Sequence, residues 1–263
     1  MNLDIAGRVA VVGGSSAGLG YATAEKLALE GARVLVVSRS DDRVGEAVER
    51  IRRAGGTEVA GIAVDLTDKD GPDRVVREAS EVFGVPTIIV ANAGGPAAMP
   101  ATEATADDLE AACRLLLLPV QRLFHASLPA MRDKGWGRFV AITSVAVLEP
   151  QPGLVLSNAL RAAVTGYLKS LSDEVAQEGI TVNSVCPGFT ATERLDHLAE
   201  VIAAQNHVAP ADILAGWAEH VPIKRLLRPE EVAAAVAFLC SDSASGVTGV
   251  ALPVDGGFRR GLM

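Results

Sequence analysis

The sequence predicts a single α/β domain organised around a parallel β-sheet, and three observations carry that prediction. A glycine-rich loop sits between an apolar strand and an amphipathic helix near the start of the 263-residue chain. Short runs of β-branched and apolar residues then alternate with helical patterns over the rest of it. No linker or low-complexity stretch interrupts the alternation, so the repeated strand-helix-strand units belong to one sheet.

Residues 9–12 form the first run, continuous rather than alternating, as a strand buried on both faces requires. The loop Gly13-Gly14-Ser15-Ser16-Ala17-Gly18-Leu19-Gly20 follows, and a helix over 21–30 stops at Gly31. Strand, glycine turn and helix in that order point to a dinucleotide site. The helix's first N–H groups and positive dipole end face a pyrophosphate, while Gly18 and Gly20 permit close approach. Gly14, Ser15, Ser16, Gly18 and Leu19 are the candidate contacts in this loop. Further strands fall at 34–37, 59–64, 87–90, 139–143 and 181–185, with helices at 42–54, 69–83, 105–134, 157–178 and 229–240, the last opening on Pro229 in its first turn. Pro119 removes a hydrogen bond from the 105–134 helix and predicts a kink there. Residues 190–222 are weakly patterned, contain Pro210 and Pro222, and follow a strand's carboxyl end, where open α/β sheets bind ligands. They read as a substrate lid on a domain spanning 1–263.

Composition narrows the function classes. A net charge of −8 argues against nucleic acid and anionic membranes as partners, yet leaves room for a small anionic ligand. Cys113, Cys186 and Cys240 are odd in number, far apart and without a CxxC, which suggests free thiols in a reducing compartment. No apolar run reaches the ~18 residues of a membrane span, and residues 1–8 lack an apolar secretion segment, so a cytoplasmic location is expected. The four histidines show no HExxH or paired spacing, and no metal is expected. His197 and His207, inside the lid, remain candidates for substrate contact, and Glu149 and Glu193 flank the expected pocket as solvated carboxylates or bases.

Taken together, Gly13 to Gly20, Val64-Asp65-Leu66, Ala91-Asn92-Ala93-Gly94, Asn183 to Gly188 and Val254-Asp255-Gly256-Gly257 resemble, in order, the signatures of the short-chain dehydrogenase/reductase family, and the pattern is similar to that of its 3-oxoacyl reductase-like members. Gly13 stands where that family's TGxxxGxG has Thr, and Ala91 where its NNAG has Asn. The resemblance implies a Rossmann-like doubly wound sheet of about seven strands with helices on both faces, a nicotinamide cofactor, and homodimers or homotetramers built on long helices and the last strand. It also maps the family's catalytic serine onto Ser144 and its YxxxK onto Ser157-Asn158-Ala159-Leu160-Arg161, so that serine replaces tyrosine and arginine replaces lysine; its catalytic Asn aligns with Leu116. An alcohol is a far weaker acid than a phenol, and Arg161 does not shuttle protons as lysine does.

Ser157 and Arg161 lie four residues apart and share a helical face. Ser157 is open to two readings, a helix cap or, with Ser144 and Arg161, a catalytic group; Arg161 also reads as a ribose ligand. Tyr167, about 80° around the same helix, reads as packing or interface. The second strand ends Ser38-Arg39, without the acid that would hold a ribose diol, so Arg39 is placed to pair with a 2′-phosphate and the cofactor expected is NADP(H) rather than NAD(H). Family roles carried over residue by residue put Asp65 and Leu66 at the adenine, Asn92 along the cofactor's inner edge, and Pro187, Gly188, Thr190 and Thr192 around the nicotinamide amide. The activity expected is an NADP(H)-dependent oxidoreductase acting on a ketone, alcohol or 3-oxoacyl-type small molecule through an atypical active site. Two alternatives stay open: dehydration, isomerisation or cyclisation on the same scaffold, and non-catalytic NADP(H) binding.

Overall fold

The computed structural model describes residues 3–261. Among them, β1 (Val9–Val12), β2 (Arg33–Ser38), β3 (Val59–Ala63), β4 (Ile88–Ala91), β5 (Gly137–Ile142), β6 (Ile180–Pro187) and β7 (Ala251–Val254) form one sheet. Its order is β3-β2-β1-β4-β5-β6-β7, with every neighbouring pair parallel. Winding reverses between β1 and β4, and a crevice opens at the carboxyl ends of those strands. Connecting the strands are α1 (Gly18–Leu29), α2 (Asp41–Arg53), α3 (Gly71–Val82), α4 (Ala106–Leu116), α5 (Leu118–Lys134) and α6 (Val155–Val175). Next come α7 (Glu193–Asn206), α8 (Pro210–His220) and α9 (Pro229–Leu239).

The continuous apolar runs have a direct cause. Ala10, Val12, Val34, Val36, Ile88 and Val90 pack under α1, α2 and α9, while their chain neighbours Val9, Val11, Leu35, Val37, Ile89 and Ala91 pack under α3, α5 and α6. Both faces of the central strands are core, so neither alternate set is polar. Burying one such side chain contributes about 1.5–3 kcal/mol, which makes the sheet the rigid base on which the loops are mounted.

Three expectations need correction. The helix expected over 105–134 is two: α4 ends at Leu116 and α5 starts at Leu118, with Pro119 in its first turn, so the expected kink is a full break. The weakly patterned segment 190–222, expected as a lid, holds a helical pair, α7 and α8, packed against each other. No residue of α8 is buried, and α7 buries only Leu195, Ala199 and Ala203, too narrow a stripe to give a strong helical period. Local start signals are nevertheless present: Thr192 caps α7 by accepting from the Leu195 N–H at 3.3 Å, and Pro210 opens α8. Trp217 of α8 stacks on Phe189 with ring centroids 5.0 Å apart, and Phe258 meets Phe189 edge-on at 5.2 Å, anchoring the pair beside the end of β6. Finally, α1 begins inside the glycine loop, at Gly18 rather than residue 21.

Candidate functional site

The carboxyl ends of the strands open on a continuous cleft enclosing about 2410 Å3 of empty space, much of it open to solvent. The glycine loop forms one wall. Gly18 has φ +56°, a conformation that favours glycine, and a Cβ at Gly20 would overlap the Gly14 carbonyl, so α1 packs directly on the loop. Asn92 at the end of β4 holds that loop from beneath, its Nδ2 donating to the carbonyls of Gly13 (3.2 Å) and Gly14 (3.3 Å). At the start of α1, Ala17 supplies no side-chain cap and the first turn has no acidic residue, whereas α2 is capped by Ser40 and opens with Asp41 and Asp42. An uncapped helix start behind a loop that a Cβ would obstruct fits an anionic phosphate group.

Of the five loop candidates, Gly14, Ser16, Gly18 and Leu19 line the cleft and Ser15 does not. Ser15 is fully buried. Its hydroxyl donates to the Val12 carbonyl at 2.6 Å and accepts from the Val37 N–H at 2.9 Å, bracing the loop against β2; its expected place as a cofactor contact is corrected to a structural one. Ser16 donates to Ser38 at 2.9 Å across the same gap. Arg39 stands exposed beside them and makes no hydrogen bond or ion pair among the described residues. Asp65 Oδ1 accepts from the Thr67 N–H (2.9 Å) and hydroxyl (2.8 Å). Burial works against its charge, but those bonds and the nearby Arg39 outweigh burial and hold the carboxyl below its ordinary range.

At the other end Ser144, Ser157, Arg161, Pro187, Gly188, Thr190 and Thr192 line the cleft with Leu66 and Asn92. Ser144 caps a short 3-10 turn after β5, its Oγ accepting from the Ala146 N–H at 3.1 Å. Ser157 is not a helix cap: α6 starts after Leu154 without a side-chain cap, and the Ser157 Oγ accepts from Arg161 Nε at 3.2 Å. Arg161 also donates to the carbonyls of Ile142 (3.2 Å), Thr143 (3.0 Å) and Gly94 (3.5 Å). Burial, with the like charge of Arg194 adding to it, pushes its pKa down to about 10, so it stays charged at neutral pH. Thr190 donates to the Gly188 carbonyl at 3.0 Å.

Both tyrosines lie elsewhere. Tyr21 donates to Glu25 at 2.6 Å, and Tyr167 meets His125 at 3.3 Å between α5 and α6. Leu116 is buried with Ala112, Leu156 and Leu160, and lines a smaller pocket beneath Arg161. Of the remaining candidates, His197 lines the cleft and His207 ends α7 at φ +55°, while Glu193 pairs with Arg43 at 3.0 Å and Glu149 does not line the cleft. Sequence reasoning missed Arg43, Thr143 and Arg194. The signal for Arg194 was the Thr192 cap followed by acidic Glu193, which opens α7 and puts the third residue on the cleft side.

Comparison with known proteins matches residues 14–259 to the family described as enoyl-(acyl carrier protein) reductase. The 3-oxoacyl-[acyl-carrier-protein] reductase of Aquifex aeolicus is 32% identical over 257 residues, covering 98% of this chain and 99% of that protein. The cis-4-hydroxycyclohexanecarboxylate dehydrogenase of Sinomonas cyclohexanicum is 35% identical, with 98% and 99% covered. Among solved structures, L-sorbose reductase from Gluconobacter frateurii, complexed with NADPH and L-sorbose, superposes with a TM-score of 0.93 at 35% identity over 100% of both chains. With a family model matched over residues 14–259, relatives above 30% identity along nearly the whole length and a solved structure that superposes over all of it, the chain belongs to the short-chain dehydrogenase/reductase family.

Proposed function

We propose that this protein is an NADP(H)-dependent oxidoreductase that interconverts a ketone or 3-oxoacyl-type carbonyl and its alcohol, with Ser144, Ser157 and Arg161 in place of a phenol-based proton donor. The observation that carries the reading is a single cleft running from the uncapped α1 start, past Arg39 and Asp65, to Ser144 and Arg161. The NADPH complex of the sorbose reductase and the reductase relatives support it.

Gly14, Ser16, Gly18 and Leu19 would hold the pyrophosphate and Arg39 the 2′-phosphate, while Asp65, Leu66, Asn92, Pro187, Gly188, Thr190 and Thr192 would line the adenine and nicotinamide ends. When bound, the nicotinamide supplies the hydride that a carbonyl carbon accepts. Ser144 accepts one hydrogen bond from the Ala146 N–H, leaving its O–H to donate to the carbonyl oxygen. Arg161 stabilises the alkoxide charge that develops there and orients Ser157 through Nε. The alkoxide takes its proton from water through a serine hydroxyl, because the guanidinium keeps its own at neutral pH. Lacking a phenol in the cleft, this relay forgoes much of the ~10²–10⁴ in rate that a matched general acid contributes.

The same missing phenol favours one second reading, in which Ser144 and Arg161 stabilise an oxyanion for a dehydration, isomerisation or cyclisation. We further infer a lid over 190–222 within one domain of 1–263, a cytoplasmic location, and a homodimer or homotetramer. NADPH absorbance followed together with product mass over a panel of ketones and 3-oxoacyl thioesters decides the reaction: oxidation matched by a reduced product supports the oxidoreductase, and product without NADPH consumption refutes it.

A further inference from the structure

The catalytic end of the cleft carries two guanidinium groups and no carboxylate to balance them. Arg161 reaches it from α6 and Arg194 from the first turn of α7. Both are tied to the same stretch of chain after β4: Arg161 donates to the Gly94 carbonyl at 3.5 Å, and Arg194 to the Pro96 carbonyl at 2.8 Å. Arg194 lies over Gly95 so closely that a Cβ there would come within 2.8 Å of its Nη2. The two charges feel each other, since Arg194 helps to depress the Arg161 pKa.

Two carboxylates line the cleft among the described residues, and both are engaged elsewhere. Asp65 is held by Thr67 near Arg39, and Glu193 pairs with Arg43 at 3.0 Å. Arg161 already makes four hydrogen bonds, to the Ser157 hydroxyl and the Ile142, Thr143 and Gly94 carbonyls, and Arg194 makes one to Pro96; these neutral acceptors supply only partial charge, and of the five N–H groups on each guanidinium most of those on Arg194 remain to place. Arg161 is half-buried and Arg194 exposed, so solvent screens part of their repulsion, and a bound anion would relieve the remainder while taking up the free donors of Arg194. The Ser157 hydroxyl is 3.2 Å from Arg161 Nε, so an anion held there would lie one side chain from the proposed reacting carbonyl.

We propose that Arg161 and Arg194 form a carboxylate-binding site, and that the substrate is a carboxylate-bearing ketone or its hydroxy acid rather than a neutral carbonyl compound. The inference rests on the reading of the cleft as an oxidoreductase site. Arg161 would form its fixed side, and Arg194, carried on the lid segment, the side that approaches as the cleft fills. The competing source of negative charge is the cofactor's pyrophosphate, because α7 starts close to the glycine loop: a Cβ at Gly18 would lie 3.6 Å from the Thr192 methyl.

Calorimetry on the NADPH-loaded protein, with acetoacetate and levulinate set against their neutral methyl esters, tests the proposal. The expected result is preference for the acids by about tenfold to a hundredfold, the range of a charge-assisted hydrogen bond. Arg194→Gln should remove most of that preference and leave NADPH affinity in place, and Arg194→Lys should retain part of it, with thermal melting confirming both folds. Equal binding of acids and esters, no acid binding at millimolar concentration, or a loss in Arg194→Gln that falls on NADPH instead of on the acids would each overturn the proposal. NADPH oxidation followed in parallel separates the two readings. Reduction of neutral ketones without acid preference leaves the oxidoreductase and removes the carboxylate site; Arg194-dependent acid binding with no NADPH oxidation does the reverse.

Discussion

Replacing Ser157 by tyrosine and Arg161 by lysine together would restore a phenol and an ammonium on one face of α6, with Ser144 already at the end of β5. A well-matched general acid is worth ~10²–10⁴ in rate, about 2.7–5.4 kcal/mol of barrier at 1.36 kcal/mol per tenfold. The structure sets where in that range the gain should fall. Position 157 faces the open cleft, so a phenol has room. A lysine ammonium has three donors, enough for the Ile142 and Thr143 carbonyls now bound by the guanidinium, but it gives up the planar fork that also reaches Gly94. Leu116, 3% exposed and packed with Ala112, Leu156 and Leu160, offers no polar group to extend the relay. The expected increase is therefore toward the lower end, about 10² in kcat/KM for ketone reduction. Steady-state NADPH oxidation with product mass measures it, with thermal melting and NADPH affinity as controls. A folded variant that binds NADPH but reduces no faster refutes the modified relay and favours oxyanion chemistry.

Three further outcomes are expected. Arg39→Ala should lose most of the preference for NADPH over NADH, about tenfold to a hundredfold by titration calorimetry, since Arg39 makes no hydrogen bond or ion pair among the described residues that would occupy its donors; tighter NADH binding by the unchanged protein would sink the assignment. Gly20→Ala should destabilise the fold by ~1–3 kcal/mol and weaken NADPH binding, because the new methyl displaces α1 from the Gly14 carbonyl; an unchanged melting temperature would show that the loop yields freely. Light scattering at micromolar concentration should give two or four times the 27.2 kDa chain mass, through the outer faces of α5 and α6 where His125 and Tyr167 meet; a purely monomeric solution would count against that interface.

How much of this was legible in the sequence follows from where each interaction takes its information. The sheet could be read because Val9 to Val12 and their counterparts are apolar on both faces, a property of the side chains themselves. The glycine loop was legible from its own residues, since Gly18 takes a left-handed φ and Gly20 packs on the Gly14 carbonyl six residues back. Ser15 and Ser16 show the limit: adjacent and identical in type, one is sealed against β2 and the other opens to the cleft, and only the register of loop on strand separates them. Helices α7 and α8 escaped because a helix pair that buries little has little period to display.

The end of the cleft at Ser157 and Arg161 was legible by halves, and the division has a physical cause. Spacing along α6 put Ser157 and Arg161 on one face, and the Nε contact at 3.2 Å follows from that spacing. The carbonyls of Ile142, Thr143 and Gly94 that hold the rest of the guanidinium belong to backbone, which any residue type presents, so no side-chain pattern announces them. Nor does any local segment encode the lack of a counter-ion. That property belongs to α6, α7 and the chain after β4 together, and it exists only once the fold brings Arg161 and Arg194 to a wall from which Asp65 and Glu193 have been drawn away by Thr67 and Arg43. A charge imbalance assembled from distant segments is open to change by single substitutions in any of them, so substrate charge should be among the more readily altered properties of this cleft, while the glycine loop, fixed by steric contact, should be among the least.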